Sequence, residues 1–298
     1  MLPQFLCISV LCSLAIAQKP VVDPAVFLFN KAEMSSPAYG QFVMDEIALA
    51  KGLKGEALKK ALEAALEVKS IKLKPQVTVE EVNDPFQYGL ERSYAVVKPY
   101  DCGKCDNWHL SAASAWALSE DGIFVTNYHV FEKGPKEGAA IMGHDFSLYP
   151  ITEILIADIA SDFAIVRAKL EDGRKIKAFP VSKSAKVGSE VYLVSHPKSQ
   201  MFYMSKGHVA SYTMRRGYKN AGGGNIMWMM TELGYCPGSS GGGIFDQNGH
   251  AVGMVSFIRP TFDIVDPQDK ENKDRFAQKV FEYTVPVWNI LRKVELEE

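Results

Sequence analysis

Two periodicities divide the chain. Between residues 53 and 66 apolar positions recur at helical spacing (Leu53, Ala57, Leu58, Ala61, Leu62, Ala65 and Leu66) with lysine and glutamate between them. That is the pattern of a helix with one buried stripe. It is built from good helix formers and limited by Pro75. One or two helices are therefore expected between residue 18 and about residue 90, with a linker around Asn83-Asp84-Pro85. From about Tyr94 the spacing changes to short β-type runs: YAVVK, SAWALS, GIFVTNY, DFAIVRA, VYLVS, HVASYT, IMWMMTE, GGIFD and AVGMVS. EDG, QNG and GGG supply turns. Many short strands and few helices argue for a sandwich or for barrels. PVWNILRKVEL reads as a closing helix with Pro286 near its start.

A length of 298 residues allows one large domain or two modest ones. The net charge of −2 gives no sign of a nucleic-acid or membrane-surface partner. Leu6 to Ala17 is a short apolar run ending in the small-x-small pattern Ala15-Ile16-Ala17. Residues 1–17 therefore read as a signal peptide cleaved near Ala17–Gln18, and an exported product, secreted or periplasmic, is expected. No other apolar run approaches the length of an integral membrane span.

Removal of the signal takes Cys7 and Cys12 and leaves Cys102, Cys105 and Cys236, so at most one intrachain disulfide forms. Cys102 and Cys105 flank Gly103-Lys104 like the corners of a tight hairpin. A disulfide, a pair of free thiols and a metal site all remain open there. Zinc needs two further ligands; His109 is a candidate for one, and no fourth is evident. A c-type haem is excluded because Asp106 stands where histidine is required.

The stretch YCPGSSGGG raises the question of a serine nucleophile. A serine hydroxyl needs a base to take its proton, and the base needs an acid to fix its tautomer. Of the six histidines, His109, His144, His196, His208 and His250 lack strong local context, whereas His129 ends the apolar strand GIFVTNYHV. Asp162 stands at the mouth of Phe163-Ala164-Ile165-Val166, a run apolar on both faces. The order His129, Asp162, Ser240 is that of the two-barrel serine peptidases. GSSGG also fits the G-x-S-x-G elbow of α/β-hydrolases, but that fold needs its acid and histidine after the serine. Only His250 follows, and alternating helices are missing.

The chain resembles the trypsin-like peptidases, specifically the HtrA/Deg-type branch, from about Tyr94 to Leu296. SEDGIFVTNYHV resembles that family's histidine strand, DFAIVRA its aspartate segment, VGSEVYLVSHP the opening of the second barrel and CPGSSGGGIFDQNGHAVGMVS the serine loop with its hairpin. YTVPVWNIL resembles the final strand and helix. The resemblance implies an all-β, chymotrypsin-like fold of two six-stranded antiparallel β-barrels, here with an N-terminal helical segment and a C-terminal helix. The expected division is 1–17 signal peptide, 18–90 helical segment and linker, and 91–298 peptidase domain. The helical segment has no counterpart in the family and is expected to be separable from the barrels. No PDZ domain is expected to follow.

By the same resemblance Ser240 is the nucleophile, His129 its base and Asp162 the orienting acid. The amides of Gly238 and Ser240 form the oxyanion hole. Gly234 lies at the base of the specificity pocket, and Ser256-Phe257-Ile258 forms a wall that pairs with substrate as an added strand. No acid marks the pocket base, so small or medium aliphatic side chains are expected before the scissile bond. Ser239 replaces the aspartate of digestive-type relatives, Gly243 replaces a usual proline, and SAASAW replaces a glycine-rich run. The expected function is that of an exported serine endopeptidase acting on proteins or peptides without metal or other cofactor. An oligomer through the N-terminal segment is compatible with it. The competing expectation is a catalytically silent or autoinhibited binding or chaperone module on the same fold.

Overall fold

The computed structural model describes residues 31–262 and 277–297; the predicted signal at 1–17 lies outside them. Among the described residues no helix is long and apolar enough to cross a membrane.

Helices α1 (Lys31–Met34), α2 (Pro37–Leu49) and α3 (Gly55–Glu67) come first, followed by the short strand β1 (Ile71–Leu73) and helix α4 (Pro85–Leu90). Ser36 caps α2, its Oγ accepting from Tyr39 N at 3.1 Å, with Pro37 in the first turn. Asp84 and Pro85, expected in a linker, instead start α4: the Asp84 carboxylate accepts from Phe86 N and Gln87 N. An Asp-Pro pair serves a helix start as well as a turn.

The first barrel contains β2 (Ser93–Asp101), β3 (Trp108–Ser119), β4 (Ile123–Thr126), β5 (Ala140–Met142), β6 (Leu148–Asp158) and β7 (Phe163–Ala168), closed in the order β2-β3-β4-β7-β6-β5. The second contains β8 (Glu190–Ser195), β9 (Tyr203–Arg216), β10 (Asn225–Glu232), β11 (Gly243–Asp246), β12 (Ala251–Phe262) and β13 (Ala277–Pro286), closed as β10-β13-β12-β11-β8-β9. All neighbours within the barrels are antiparallel. The expected fold class holds.

The unbroken apolar run of β2 has a physical cause. Tyr94 and Val96 face the first barrel's interior with Phe124 and Ile141, while Ala95 and Val97 pack with Tyr39, Val43 and Ile47 of the α2 layer. Strand β3 also buries both faces, Ala113, Ala115 and Ala117 inward and Trp116 and Leu118 toward the second barrel. A cluster of Trp116, Val125, Ile165, Phe179, Phe245 and Val285 joins the barrels.

The helical segment does not stand apart. Leu58, Leu62 and Ala65 of α3 belong to the same hydrophobic cluster as Val96, Phe124 and Ile151. Gly40 of α2 sits so close to Trp108 that a Cβ there would meet its carbonyl oxygen at 2.5 Å. Arg92, just after α4, is almost fully buried, with Nε donating to Ala178 O, a second nitrogen donating to Tyr88 O and a third paired with Glu80. The expectation of a separable segment therefore gives way to one in which α2 packs on the first barrel's outer face and α3 joins the cluster that fills its interior.

The closing helix is shorter than its sequence suggests. α5 covers Val287–Leu291, and Val294–Leu296 forms β14, which pairs in parallel with β1. Ile71 N donates to Lys293 O at 2.9 Å, so a strand partner from the segment before the barrels draws the chain out of the helix.

Candidate active site

Strand β4 ends at Thr126, and His129 stands in a single 3₁₀ turn, Tyr128–Val130, beyond it, not at the strand end itself. Asp162 occupies the tight turn into β7, at φ +50° with its N–H donating to Ile159 O. Few non-glycine residues adopt that conformation, though aspartate is among the more tolerant. The turn places the carboxylate, wholly buried, against the histidine.

His129 Nδ1 lies 2.9 Å from Oδ2 and 3.1 Å from Oδ1, and the His129 backbone N–H donates to Oδ1 at 3.2 Å. Ser256 Oγ donates to Oδ2 at 2.5 Å. Asn127 Nδ2 donates to the Asp162 carbonyl at 2.8 Å and ties the two turns together. A carboxylate accepts only, so Nδ1 carries the proton and Nε2 is left with a lone pair. The ring stacks on Tyr218, 5.6 Å between centroids and 26° between planes. A Lys219–Glu132 ion pair joins the loops that carry them.

Ser240 comes from the second barrel, in the loop before β11. It shares a cavity of about 290 Å³ with His129, Tyr235, Cys236, Ser256, Phe257 and Ile258. No hydrogen bond joins Ser240 Oγ to His129 among those of the described residues; in unliganded sites such contacts are often long. Ser239 points elsewhere: it is fully buried and accepts a hydrogen bond from Ser195 Oγ at 3.0 Å.

The loop is shaped through its backbone. Gly238 has φ +105°, and a Cβ there would meet His196 O at 2.4 Å. Lys198 N donates to Pro237 O at 2.8 Å. In a trans peptide the N–H opposes the carbonyl, so this bond turns Gly238 N–H away from Lys198. Ser239, Gly241 and Gly242 each donate to a backbone carbonyl, whereas the N–H groups of Gly238 and Ser240 have no acceptor among the described residues. Ser114 N on β3 donates to Ser240 O at 2.8 Å, anchoring the loop to the first barrel.

Beneath the loop lies a buried network that the sequence did not reveal. Ser114 Oγ donates to Gly238 O at 3.0 Å and lies 2.8 Å from His196 Nδ1. Because the hydroxyl proton goes to Gly238 O, Nδ1 must be the donor to Oγ. Burial pushes the pKa of His196 down to about 3 and holds it neutral.

Ser256, Phe257 and Ile258 line the cavity. The pairing of β12 with β11 stops at Met254, so Phe257 and Ile258 are laddered to β13 on one side only, and Ser256 sits at a bulge in that ladder. Gly234 lies outside the cavity lining, its N–H donating to Glu282 Oε1 at 2.5 Å. Glu282 is a second residue the sequence did not single out. Its carboxylate also accepts from Leu233 N, Tyr235 N and Thr231 Oγ1. Burial raises its pKa, against the lowering effect of those donors.

Residues 113–254 match the trypsin-like peptidase domain family. The chain is thus similar to trypsin-like peptidase domains, those of HtrA-type proteases among them. Over 166 residues it is 25% identical to serine protease HTRA1 of Xenopus laevis, covering 55% of this chain and 35% of that protein. A probable periplasmic serine endoprotease DegP-like of Hahella chejuensis is 26% identical over 151 residues, 50% of this chain and 30% of that one. Anti-sigma-I factor RsgI9 of Acetivibrio thermocellus is 23% identical over 209 residues, 63% and 28% of the two chains. The chain thus spans roughly a third of the length of these curated relatives, between 28% and 35%. Among solved structures the HtrA-type protease AlgW with a decapeptide superposes with a TM-score of 0.52 at 17% identity, covering 69% of this chain and 63% of that one. At that identity the likeness concerns the fold.

Proposed function

We propose that the protein is an exported serine endopeptidase in which Ser240 is the nucleophile, His129 the general base and Asp162 the residue that orients it. The observation carrying this reading is the buried Asp162 carboxylate bonded to His129 Nδ1, with Ser240 in the wall of the same cavity. Ser240 Oγ attacks the scissile carbonyl carbon while His129 Nε2 takes the hydroxyl proton. The negative charge that forms on the carbonyl oxygen is met by the N–H groups of Gly238 and Ser240, which have no acceptor among the described residues. Collapse breaks the C–N bond, and His129 returns its proton to the leaving amine. Water then attacks the Ser240 ester with His129 again as base, and collapse breaks the bond to Oγ, returning the proton from His129 to Ser240 and releasing the acid.

The substrate chain adds as a strand along Ser256-Phe257-Ile258. Its side chain before the cleaved bond enters the cavity beside Tyr235, Val255 and Ile258. Glu282 is turned to Leu233, Gly234, Tyr235 and Thr231, and the lining of the cavity holds no carboxylate. A lysine or arginine would bury its charge unpaired, which is costly. Small and medium aliphatic residues are favoured, and strong cleavage of a peptide library after Arg, Lys or Glu would count against that pocket.

A fluorophosphonate probe followed by peptide mapping tests the central claim. An adduct on Ser240 is expected. A folded protein that never labels would point to a silent or inhibited binding module instead.

A further inference from the structure

The β2–β3 hairpin ends in a group of donors that the proposed hydrolysis does not use. Its ladder pairs Tyr100 with His109 and Asp101 with Trp108, which fixes His109 one step from the turn. Gly103, at φ +67°, lets the chain reverse, and the Asp101 side chain accepts from Gly103 N at 2.7 Å. The turn folds both cysteines back toward the strand. Cys102 Sγ comes to 3.5 Å from Cys105 Sγ, and Cys105 Sγ to 3.1 Å from His109 Nε2. The three donor atoms all lie within 4.8 Å of one another, at a solvent-accessible end of the hairpin.

We propose that Cys102, Cys105 and His109 are three ligands of a site for a zinc-class divalent cation, with the fourth position open to water. Zinc–sulfur bonds of about 2.3 Å and zinc–nitrogen bonds of about 2.0–2.1 Å in a tetrahedron separate neighbouring ligand atoms by about 3.6–3.8 Å. Two of the contacts fall a few tenths of an ångström inside those separations and the third pair lies within 4.8 Å, so modest rotations of the side chains admit the ion. Two thiolates and an imidazole form a borderline-soft donor set, suited to zinc and unsuited to calcium or magnesium. Binding releases two thiol protons to solvent and leaves a site of zero net charge. The ion would tie the turn to β3 and stiffen the hairpin end.

The test uses the full chain, reduced, stripped with a chelator and titrated without oxygen. Cobalt(II) is the probe, because thiolate-to-cobalt charge transfer absorbs in the near ultraviolet and four-coordinate cobalt absorbs strongly in the visible. One equivalent should bind with both features and be displaced by one equivalent of zinc. Cys102→Ser and Cys105→Ser should each weaken binding and lower the charge-transfer absorbance per bound cobalt, since one thiolate of the two remains. His109→Gln should weaken binding by roughly tenfold or more, and Cys236→Ser should leave the titration unchanged. Zinc should raise the melting temperature of the unaltered chain and not that of Cys102→Ser. Substoichiometric binding, a charge-transfer band of undiminished intensity in either serine variant, or an unaffected His109→Gln would each overturn the proposal.

Discussion

The first barrel offers His129 and Asp162 already bonded to each other, whereas the second offers Ser240 on a loop whose shape is set by the main chain. Asp162 is held by His129 through both ring and backbone, and by Ser256; its carbonyl is held by Asn127. The serine loop instead depends on Gly238 and Gly241 at positive φ and on backbone bonds to Lys198, Val255 and Ser114. The difference follows from the tasks proposed for each half. A base needs a fixed tautomer, which a neighbouring acceptor supplies. An oxyanion hole needs N–H groups turned toward a developing charge, which backbone conformation supplies without desolvating further side chains.

The comparison is broken most directly at the nucleophile. Ser240→Ala should lower turnover by about 10⁶ with the melting temperature nearly unchanged, while Ser239→Ala should retain most hydrolysis and lose stability through its bond with Ser195. Equal activity losses would show that the loop is read in the wrong register. On the other half, Asp162→Asn should cost about 10⁴ in turnover, because the amide no longer selects the Nδ1–H tautomer; steady-state kinetics on a cleavable peptide measure it. Gly238→Ala tests the backbone half alone. The new Cβ would meet His196 O, and the expected loss is about 10²–10³ in kcat, with KM changed little.

The smallest effect concerns the network under the loop. The folded-state pKa of His196 is depressed to about 3, so between that value and the ordinary histidine range the unfolded chain carries the extra proton. Stability should therefore fall as pH falls through that window, by up to about 1.4 kcal/mol per pH unit from this group. Denaturant melts between pH 4 and 7 should show a shallower slope in His196→Gln. An unchanged slope would mean that His196 is not buried neutral.

The sequence made some of this legible and hid the rest for a physical reason. His129, Asp162 and Ser240 each sit in a local pattern (apolar strand, buried strand mouth, glycine-rich loop) that short-range reading detects. Ser114, His196, Tyr218 and Glu282 take their meaning from partners far along the chain, such as Ser114 with Gly238 or Glu282 with Gly234. The α3 stripe announced that one face is buried, but an amphipathic pattern does not say against what, so its place on the first barrel was invisible. The tail of PVWNILRKVEL has helical spacing yet becomes β14, because tertiary pairing overrides local propensity.

Strand β1, which precedes both barrels, lies beside β14, which follows them. Such a contact closes a loop containing both barrels, and closure entropy must be met before the pairing returns anything. The ladder is therefore expected among the late events of folding, after the barrels have brought its two strands together. Until then Ile71 and Leu73 lack their strand partners. During synthesis or transport this exposed edge would outlast every helix, marking the stage at which the chain is most open to misassembly.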